Sequence, residues 1–243
     1  MATIYEAIQA VYEGNTRFVT KWLDDNPSIH PDAPELRAQG LTLLYVACLR
    51  GKSGVAKALL RAGADINYGS GIADHLRTPL YAAFCGKHYD LMRQLVDMGV
   101  DISARYDDGS TILHCALFDD SLKVFQKIVG MLGNLDATDR DGDTTLMVYS
   151  MILHPNSSVK HQLEKTKVLL KAGASLSVVG RDGYSPLHGA SQVGNHVIVR
   201  MLLDAGASVS ARSHHDLTAL MHAVKYGQLA VVRLLVQAGA DIE

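Results

Sequence analysis

The residues of this 243-residue chain with chemistry to offer are one Gly-Lys-Ser triplet, eleven histidines and three cysteines. Gly51-Lys52-Ser53 has the ending of a phosphate-binding loop, in which backbone amides cradle phosphate oxygens and the lysine reaches the terminal phosphates. That motif needs a glycine five residues before Gly51, and Val46 stands there, so the triplet reads as a turn between helices. His214-His215 is the densest imidazole pair. Adjacent residues on one turn rarely point at one ion, and no Cys or His partner follows at zinc spacing, so neither a metal nor a cofactor is expected. As catalytic bases, His114 and His188 would need a nucleophile and an orienting acid at recognisable spacing, and no such trio is written. Cys48, Cys85 and Cys115 are odd in number and far apart, which excludes a disulfide framework and a CxxC zinc site and fits a reducing compartment. They read as small packed residues, with Cys85 the candidate for a reactive thiol. Asn156-Ser157-Ser158 matches the glycosylation acceptor pattern, but without a signal sequence it reads as a polar loop. No enzyme is expected from this set.

Composition narrows the class further. Lys and Arg number 23 against 25 Asp and Glu, with 48% apolar and 20% charged residues, which argues for a packed core and against general disorder. The near-neutral balance supplies no global attraction to nucleic acid or anionic membrane, and no basic stripe with interleaved aromatics appears. No apolar stretch approaches the roughly 18 residues of a membrane span, and the N-terminus lacks a basic region followed by an apolar one. The expectation is an intracellular protein, cytoplasmic or nuclear.

The elements that position these residues repeat. The phrases Thr42-Leu43-Leu44-Tyr45, Thr78-Pro79-Leu80-Tyr81, Thr111-Ile112-Leu113-His114, Thr144-Thr145-Leu146-Met147, Ser185-Pro186-Leu187-His188 and Thr218-Ala219-Leu220-Met221 start 36, 33, 33, 41 and 33 residues apart. A second phrase follows in most units: Ala62-Gly63-Ala64-Asp65, Met98-Gly99-Val100-Asp101, Ala172-Gly173-Ala174-Ser175, Ala205-Gly206-Ala207-Ser208 and Ala238-Gly239-Ala240-Asp241. A fixed period in this range points to a stacked array, not one compact core. Thr or Ser opening each phrase predicts an N-cap, Pro79 and Pro186 fit a first helical turn, and each glycine fits a left-handed C-cap. One unit is thus two short antiparallel helices and a turn. Ala47, Ala83, Ala116, Ala190 and Ala223 recur at the sixth position counted from the start of the phrase, letting first helices of neighbouring units approach. The second helices carry a larger apolar stripe, as in Val55, Leu59 and Leu60.

These residues resemble the ankyrin repeat, whose pattern runs Asp-x-x-Gly-x-Thr-Pro-Leu-His, paired alanines, Gly-His and Ala-Gly-Ala-Asp. The resemblance implies an all-α fold: a solenoid of stacked helix-turn-helix units with β-turn or hairpin connections. It makes residues 1–243 a single ankyrin-repeat domain of about seven repeats. Residues 1–39 supply a degenerate N-terminal cap and an extended connection, with Ala7, Ala10 and Gly14-Asn15 on the inner side and Phe18, Val19, Trp22 and Leu23 outside. Residues 40–243 supply six recognisable repeats. It also implies that His114 and His188 belong to structural hydrogen-bond networks with the Thr or Ser of their phrase. Leu59, Asp65, Ile66 and Asn67 resemble the ankyrin sequence modified by asparaginyl hydroxylases, which marks Asn67 for modification; the plainer reading is an Asn suited to a turn.

Departures from the pattern mark special surface. Ile29 to Gln39 form a proline-punctuated connection, three residues are added around Asn67 to His75, and eight near Ile152 to His161, expected between the helices of the fifth repeat. Leu132 stands where the other units have their C-cap glycine, so that helix is expected to end irregularly. Val231, Val232, Leu234 and Leu235 keep the internal form to the end, whereas solenoid ends normally carry a more polar unit. We therefore expect the chain to be the N-terminal part of a longer protein.

In this family partners are usually held on the concave side, formed by the turn tips and the exposed face of the first helices. Carried onto this sequence, those positions are Gln39, Leu41, Leu49 and Arg50; His75, Arg77, Asp108, Ser110, Phe118 and Asp119; Arg140, Asp143, Met151, Arg181, Tyr184 and Gln192; and His215, Leu217, Lys225 and Tyr226. Aromatics and Arg among polar groups are the usual ingredients of binding hot spots. Between Asp107 and Asp143 eight acids (Asp107, Asp108, Asp119, Asp120, Asp136, Asp139, Asp141, Asp143) face three bases (Lys123, Lys127, Arg140). Beside Tyr106 and Phe118 that block suits a basic segment of a partner protein, although Asp139 and Asp141 have the alternative of fixing their own turn. The expected function is a monomeric, non-catalytic scaffold for a protein or peptide partner. The alternative is a targeting or regulatory ankyrin region of a larger enzyme or channel.

Overall fold

The threonine or serine that opens each phrase caps a helix in the computed structural model, which describes residues 3–38, 40–68, 78–106, 108–117, 121–152 and 159–242. The Oγ1 atoms of Thr42, Thr78, Thr144 and Thr218 accept the backbone N–H three residues on, at 3.1, 3.2, 3.3 and 3.3 Å. Each bond satisfies an amide that the first helical turn leaves without a partner. The resulting helices come in pairs: α1 (Ile4–Glu13) with α2 (Thr16–Asp25), α3 (Leu43–Leu49) with α4 (Ser53–Arg61), and α5 (Pro79–Cys85) with α6 (Tyr89–Asp97). Then follow α7 (Ile112–Ala116) with α8 (Leu122–Met131), α9 (Thr145–Met151) with α10 (Val159–Lys171), α11 (Pro186–Val193) with α12 (His196–Asp204), and α13 (Ala219–Lys225) with α14 (Leu229–Gln237). A 3-10 turn, Pro34–Leu36, sits in the connection after the first pair. Among the described residues extended pairing is confined to isolated bridges, such as Thr138 with Thr144 and Arg212 with Thr218.

The chain forms two compact units, residues 1–107 and 108–243. In the first, α1 packs on α3, α3 on α5, and α2 on α4. In the second, the inner helices α7, α9, α11 and α13 follow one another, as do the outer helices α8, α10, α12 and α14. The recurrent small residues Ala47, Ala83, Ala116, Ala190 and Ala223 are all buried at inner-helix contacts. Val55, Leu59, Leu91, Leu95, Ile198, Leu202, Val231 and Leu235 form the buried outer stripe. In the cap, Val19, Trp22 and Leu23 are buried but Phe18 is only half-buried.

Helix ends follow the glycines. Gly63, Gly99, Gly173, Gly206 and Gly239 have φ of 97, 85, 87, 93 and 88°, the left-handed conformation that a Cβ disfavours. Where Leu132 replaces glycine, α8 ends instead in extended backbone (φ −78°, ψ 125°). The fifth-repeat insertion differs from expectation: Val159, Lys160 and His161 continue α10, which has 13 residues against 9 in α12. Its remaining residues, 153–158, include the Asn156 sequon and lie outside the described residues. The added helical turn carries Gln162, whose Nε2 donates to the carbonyls of Tyr149 and Ile152 at 2.9 and 2.7 Å. It thereby satisfies carbonyls at the C-terminal end of α9.

Gly51 and Lys52 form the turn between α3 and α4, as expected. The cysteines divide. Cys48 is buried and its thiol is pushed up to about 12 by burial, whereas Cys85 is exposed and Cys115 half-buried. Those two are not fully packed core residues: Cys85 stands one position further along its phrase than Cys48, a turn of roughly 100° about the helix axis, and the Cys115 sulfur lies 4.0 Å from the Ser110 hydroxyl. Among the described residues no helix is long and apolar enough to cross a membrane.

Candidate partner-binding face

In the second unit the turns between helix pairs form tips that stack on one another. Each tip is closed internally: the Asp139 amide donates to the Asp143 carbonyl and that of Ser213 to Leu217, both at 3.0 Å. Each tip is also tied to the next. The Arg140 amide donates to the Asp108 carbonyl at 2.9 Å, Arg181 to Asp141 at 2.8 Å, and His214 to Asp182 at 2.9 Å. Gly183 lies under the last of these crossings, with φ of 71° and so close that a Cβ would sit 2.6 Å from the His214 nitrogen.

The tips carry the acids. Asp139 Oδ1 accepts from the amides of Asp141 and Asp143 at 2.9 and 3.0 Å, so Asp139 fixes its own turn. Asp141 instead pairs with Arg181 at 2.9 Å, with both side chains exposed. Burial acting alone would raise the Asp108 carboxyl, but the hydroxyl and amide of Ser110 outweigh it and hold it below the usual range. Asp143 is the exception. Half-burial raises it to about 6, reinforced by repulsion from Asp139, Asp141 and Asp182 and opposed by Arg181.

This shift has a consequence for stability. The folded chain holds the Asp143 proton where the unfolded chain has lost it, so stability is full below the ordinary carboxylate range and is lost as pH rises through about 6. Asp143→Asn is therefore expected to stabilise the protein by about 1 kcal/mol near pH 7.5, after discounting for solvent screening, and to leave it unchanged near pH 4. Urea denaturation of both chains at the two pH values checks this, and equal midpoints near pH 7.5 contradict it.

Behind the tips the inner helices are held by histidines. The Ser185 amide donates to His188 Nδ1 at 3.2 Å, and His188 Nε2 lies 3.1 Å from the carbonyls of Ala211 and Leu217 in the next turn. His114 repeats the arrangement, with the Thr111 amide on Nδ1 at 3.2 Å and the Asp143 carbonyl 3.1 Å from Nε2. Both histidines are the structural links the sequence implies. Around His188 gather Tyr184, whose ring centroid is 5.9 Å away, and His222, 5.6 Å away; Tyr226 stacks on His222 at 6.5 Å.

The expected face is thus assembled in part. Asp108, Arg140, Arg181, His215, Lys225 and Tyr226 are exposed, while Asp143, Met151, Tyr184, Gln192 and Leu217 are half-buried. Ser110 is a correction: it is 7% exposed, because its hydroxyl lies against α7, 4.0 Å from the Cys115 sulfur, while its amide donates to Asp108 Oδ1 at 2.9 Å. Met151 covers Gly189 of the neighbouring helix, and the Lys225 ammonium sits 5.6 Å from the Tyr226 ring. In the first unit, the Tyr106 ring lies tilted against that of Tyr81, with centroids 4.3 Å apart, Arg50 lies over the Tyr12 ring at 5.5 Å, Leu41 bridges to Ala38, and Leu49 is half-buried. Asn67 is exposed, and its Oδ1 accepts the Asp101 amide at 2.7 Å. Gln39, His75, Arg77, Phe118 and Asp119 lie outside the described residues. His214 and His215 are exposed, and among the described residues no three His, Cys, Asp or Glu side chains converge on one ion position.

Three residues of this region were not singled out by the sequence reading: Asp182, His222 and Lys165. The last two are legible only by comparing register between repeats. His222 stands where other inner helices have Val46, Ala82 and Gly189, and Lys165 where other outer helices have Val55, Leu91, Ile198 and Val231.

Comparison with known proteins adds three findings. A family model described as "Ankyrin repeats (3 copies)" matches residues 7–106 and 153–243. Among curated proteins, the chain is 30% identical over 159 residues to "Putative palmitoyltransferase ZDHHC13" of Danio rerio, covering 65% of this chain and 23% of that protein. It is 29% identical over 173 residues to "Putative ankyrin repeat protein FPV031" of Fowlpox virus, covering 69% of this chain and 48% of that one. The chain therefore spans less than half of either relative. Among solved structures, the ankyrin repeat domain of Bcl-3, a member of the IkappaB protein family, superposes with a TM-score of 0.78 at 26% identity, covering 95% of this chain and 97% of that one.

Proposed function

We propose, because this chain belongs to the ankyrin-repeat family, that it is a non-catalytic interaction scaffold whose tips and inner helices hold a basic segment of a partner protein. What supports the basic ligand is Asp143: a half-buried carboxylate raised to about 6 by burial and by three neighbouring acids is a site where an incoming cation gains most. Arg181 offsets that repulsion only partly, since it is already committed to Asp141. Tyr184 and Tyr226 supply aromatic surface on the same unit. Reading residues 1–243 as a single monomeric domain, working in the cytoplasm or nucleus, is part of this proposal, as is hydroxylation of Asn67, which a one-oxygen mass increase on its peptide would reveal.

The test is a displayed peptide library selected on the native chain and compared on Asp143→Lys. Peptides carrying Arg or Lys are expected to dominate and to bind the variant about tenfold or more weakly, as the loss of a charge-assisted contact implies. Enrichment of peptides without a basic residue, or equal binding to both chains, overturns the basic-ligand assignment.

A second reading is favoured by the palmitoyltransferase relative, since the part it shares with this chain is 23% of its length. On that reading the repeats are the targeting or regulatory region of a larger enzyme or channel, and they use the same face. The transcript distinguishes the two: an enzyme or channel sequence in the same frame supports the second, and a stop codon after residue 243 supports the first.

A further inference from the structure

His222 breaks the pattern of its own fold. It lies in α13 where the other inner helices place Val46, Ala82, Cys115, Val148 and Gly189. Its exposure is 0%, yet among the described residues no protein group reaches either ring nitrogen with a hydrogen bond. A buried polar group left in this way carries its full desolvation cost, so its presence calls for an explanation beyond packing. His188 is the contrast: equally buried, it is held on both nitrogens.

The surroundings of His222 are aromatic and hold little to neutralise a proton. Its ring is edge-on to Tyr184 at 4.7 Å and to His188 at 5.6 Å, and parallel to Tyr226 at 6.5 Å. The ionisable group on α11 is His188, that on α14 is Arg233, and that on its own helix is Lys225. The preceding turn brings Arg212, His214, His215 and Asp216, and Asp216 is already paired with Arg212 at 3.0 Å. The remaining carboxylate on this side, Asp182, acts on Tyr184.

We propose that His222 is a pH-responsive element of the last helix pair: neutral and packed at neutral pH, and expelled on protonation, which loosens α13 and α14 and separates Tyr184 from Tyr226. Burial, His188, Lys225 and His215 all push the His222 imidazole below its usual range. The opened chain takes up the proton in the ordinary histidine range, near about 6.5. Stability of this segment is therefore full above that range and is lost as pH falls below it.

The experiment is hydrogen exchange of the full chain, followed in peptides from residues 219–237 and corrected for intrinsic rates, with His222→Phe and His222→Leu alongside. Between about pH 7.5 and 5.5 protection in the native chain is expected to fall about tenfold, the loss when only the opened form binds the proton. Both apolar variants are expected to keep their protection; either one alone suffices if the other does not fold. Native protection unchanged at the lower pH, equal loss in the folded variant, or an imidazole NMR titration of His222 at the ordinary histidine value would overturn the proposal. Only its consequence for Tyr184 and Tyr226 rests on the function proposed above. Loss of protection with undiminished peptide binding supports the switch and removes those two tyrosines from the partner face.

Discussion

Replacing Lys165 by alanine is expected to destabilise the second unit by about 3 kcal/mol or more. Lys165 is 1% exposed, at a position where other repeats bury an aliphatic residue. Its Nζ donates to the carbonyls of Ala116 and Leu117, each at 2.9 Å, and lies 5.2 Å from the centre of the Phe125 ring. Those carbonyls end α7, which spans only Ile112–Ala116. A helix end leaves carbonyls without intrahelical partners and concentrates partial negative charge, and a buried ammonium answers both. Alanine removes the cation, strands two buried acceptors and leaves a void. Lys165→Met keeps most of the volume and loses only the polar contacts, so its cost should be smaller by about 1–2 kcal/mol. Urea denaturation of the three full chains measures the order, and an alanine variant as stable as the native chain contradicts the capping role.

Gly183→Val is expected to cost about 3 kcal/mol, and Gly206→Ala only about 1. Both glycines have left-handed backbone, with φ of 71 and 93°. A side chain at Gly206 meets nothing within 4 Å, so only the conformational cost applies. At Gly183 the Cβ would press on the His214 nitrogen 2.6 Å away and force open the 2.9 Å bond from His214 to Asp182. A branched residue adds strain at positive φ. Thermal melts of both variants test the distinction. Equal losses would mean that the tip at Gly183 does not depend on its close approach to His214.

Much of this protein was legible in one dimension. Recurrence of Thr or Ser before each inner helix, of alanine at the sixth position of most phrases and of glycine after most outer helices led to helix pairs, caps and stacking faces, and the caps at Thr42 and Gly206 form as read. Those features depend on residues within one turn of helix, so spacing reports them directly. Leu132 shows the same logic in reverse, since removing the glycine changes the helix end at that position.

What tertiary structure decided is where polar groups meet across repeats. Ser110 was expected at the surface and is buried against α7, its hydroxyl 4.0 Å from the Cys115 sulfur. Part of the fifth-repeat insertion, Val159 to His161, winds into α10, which brings Gln162 to the end of α9. Lys165 carries a charge in sequence and a buried cap in space, and His222 looks like any other histidine until its neighbours are counted as Tyr184, His188 and Tyr226. Sequence alone determined the repeating scaffold, since helix propensity and capping act over a few residues. Tertiary structure determined the electrostatics of its face, since the energy of a charge depends on burial and on partners more than thirty residues away, as Asp182 is from Asp143.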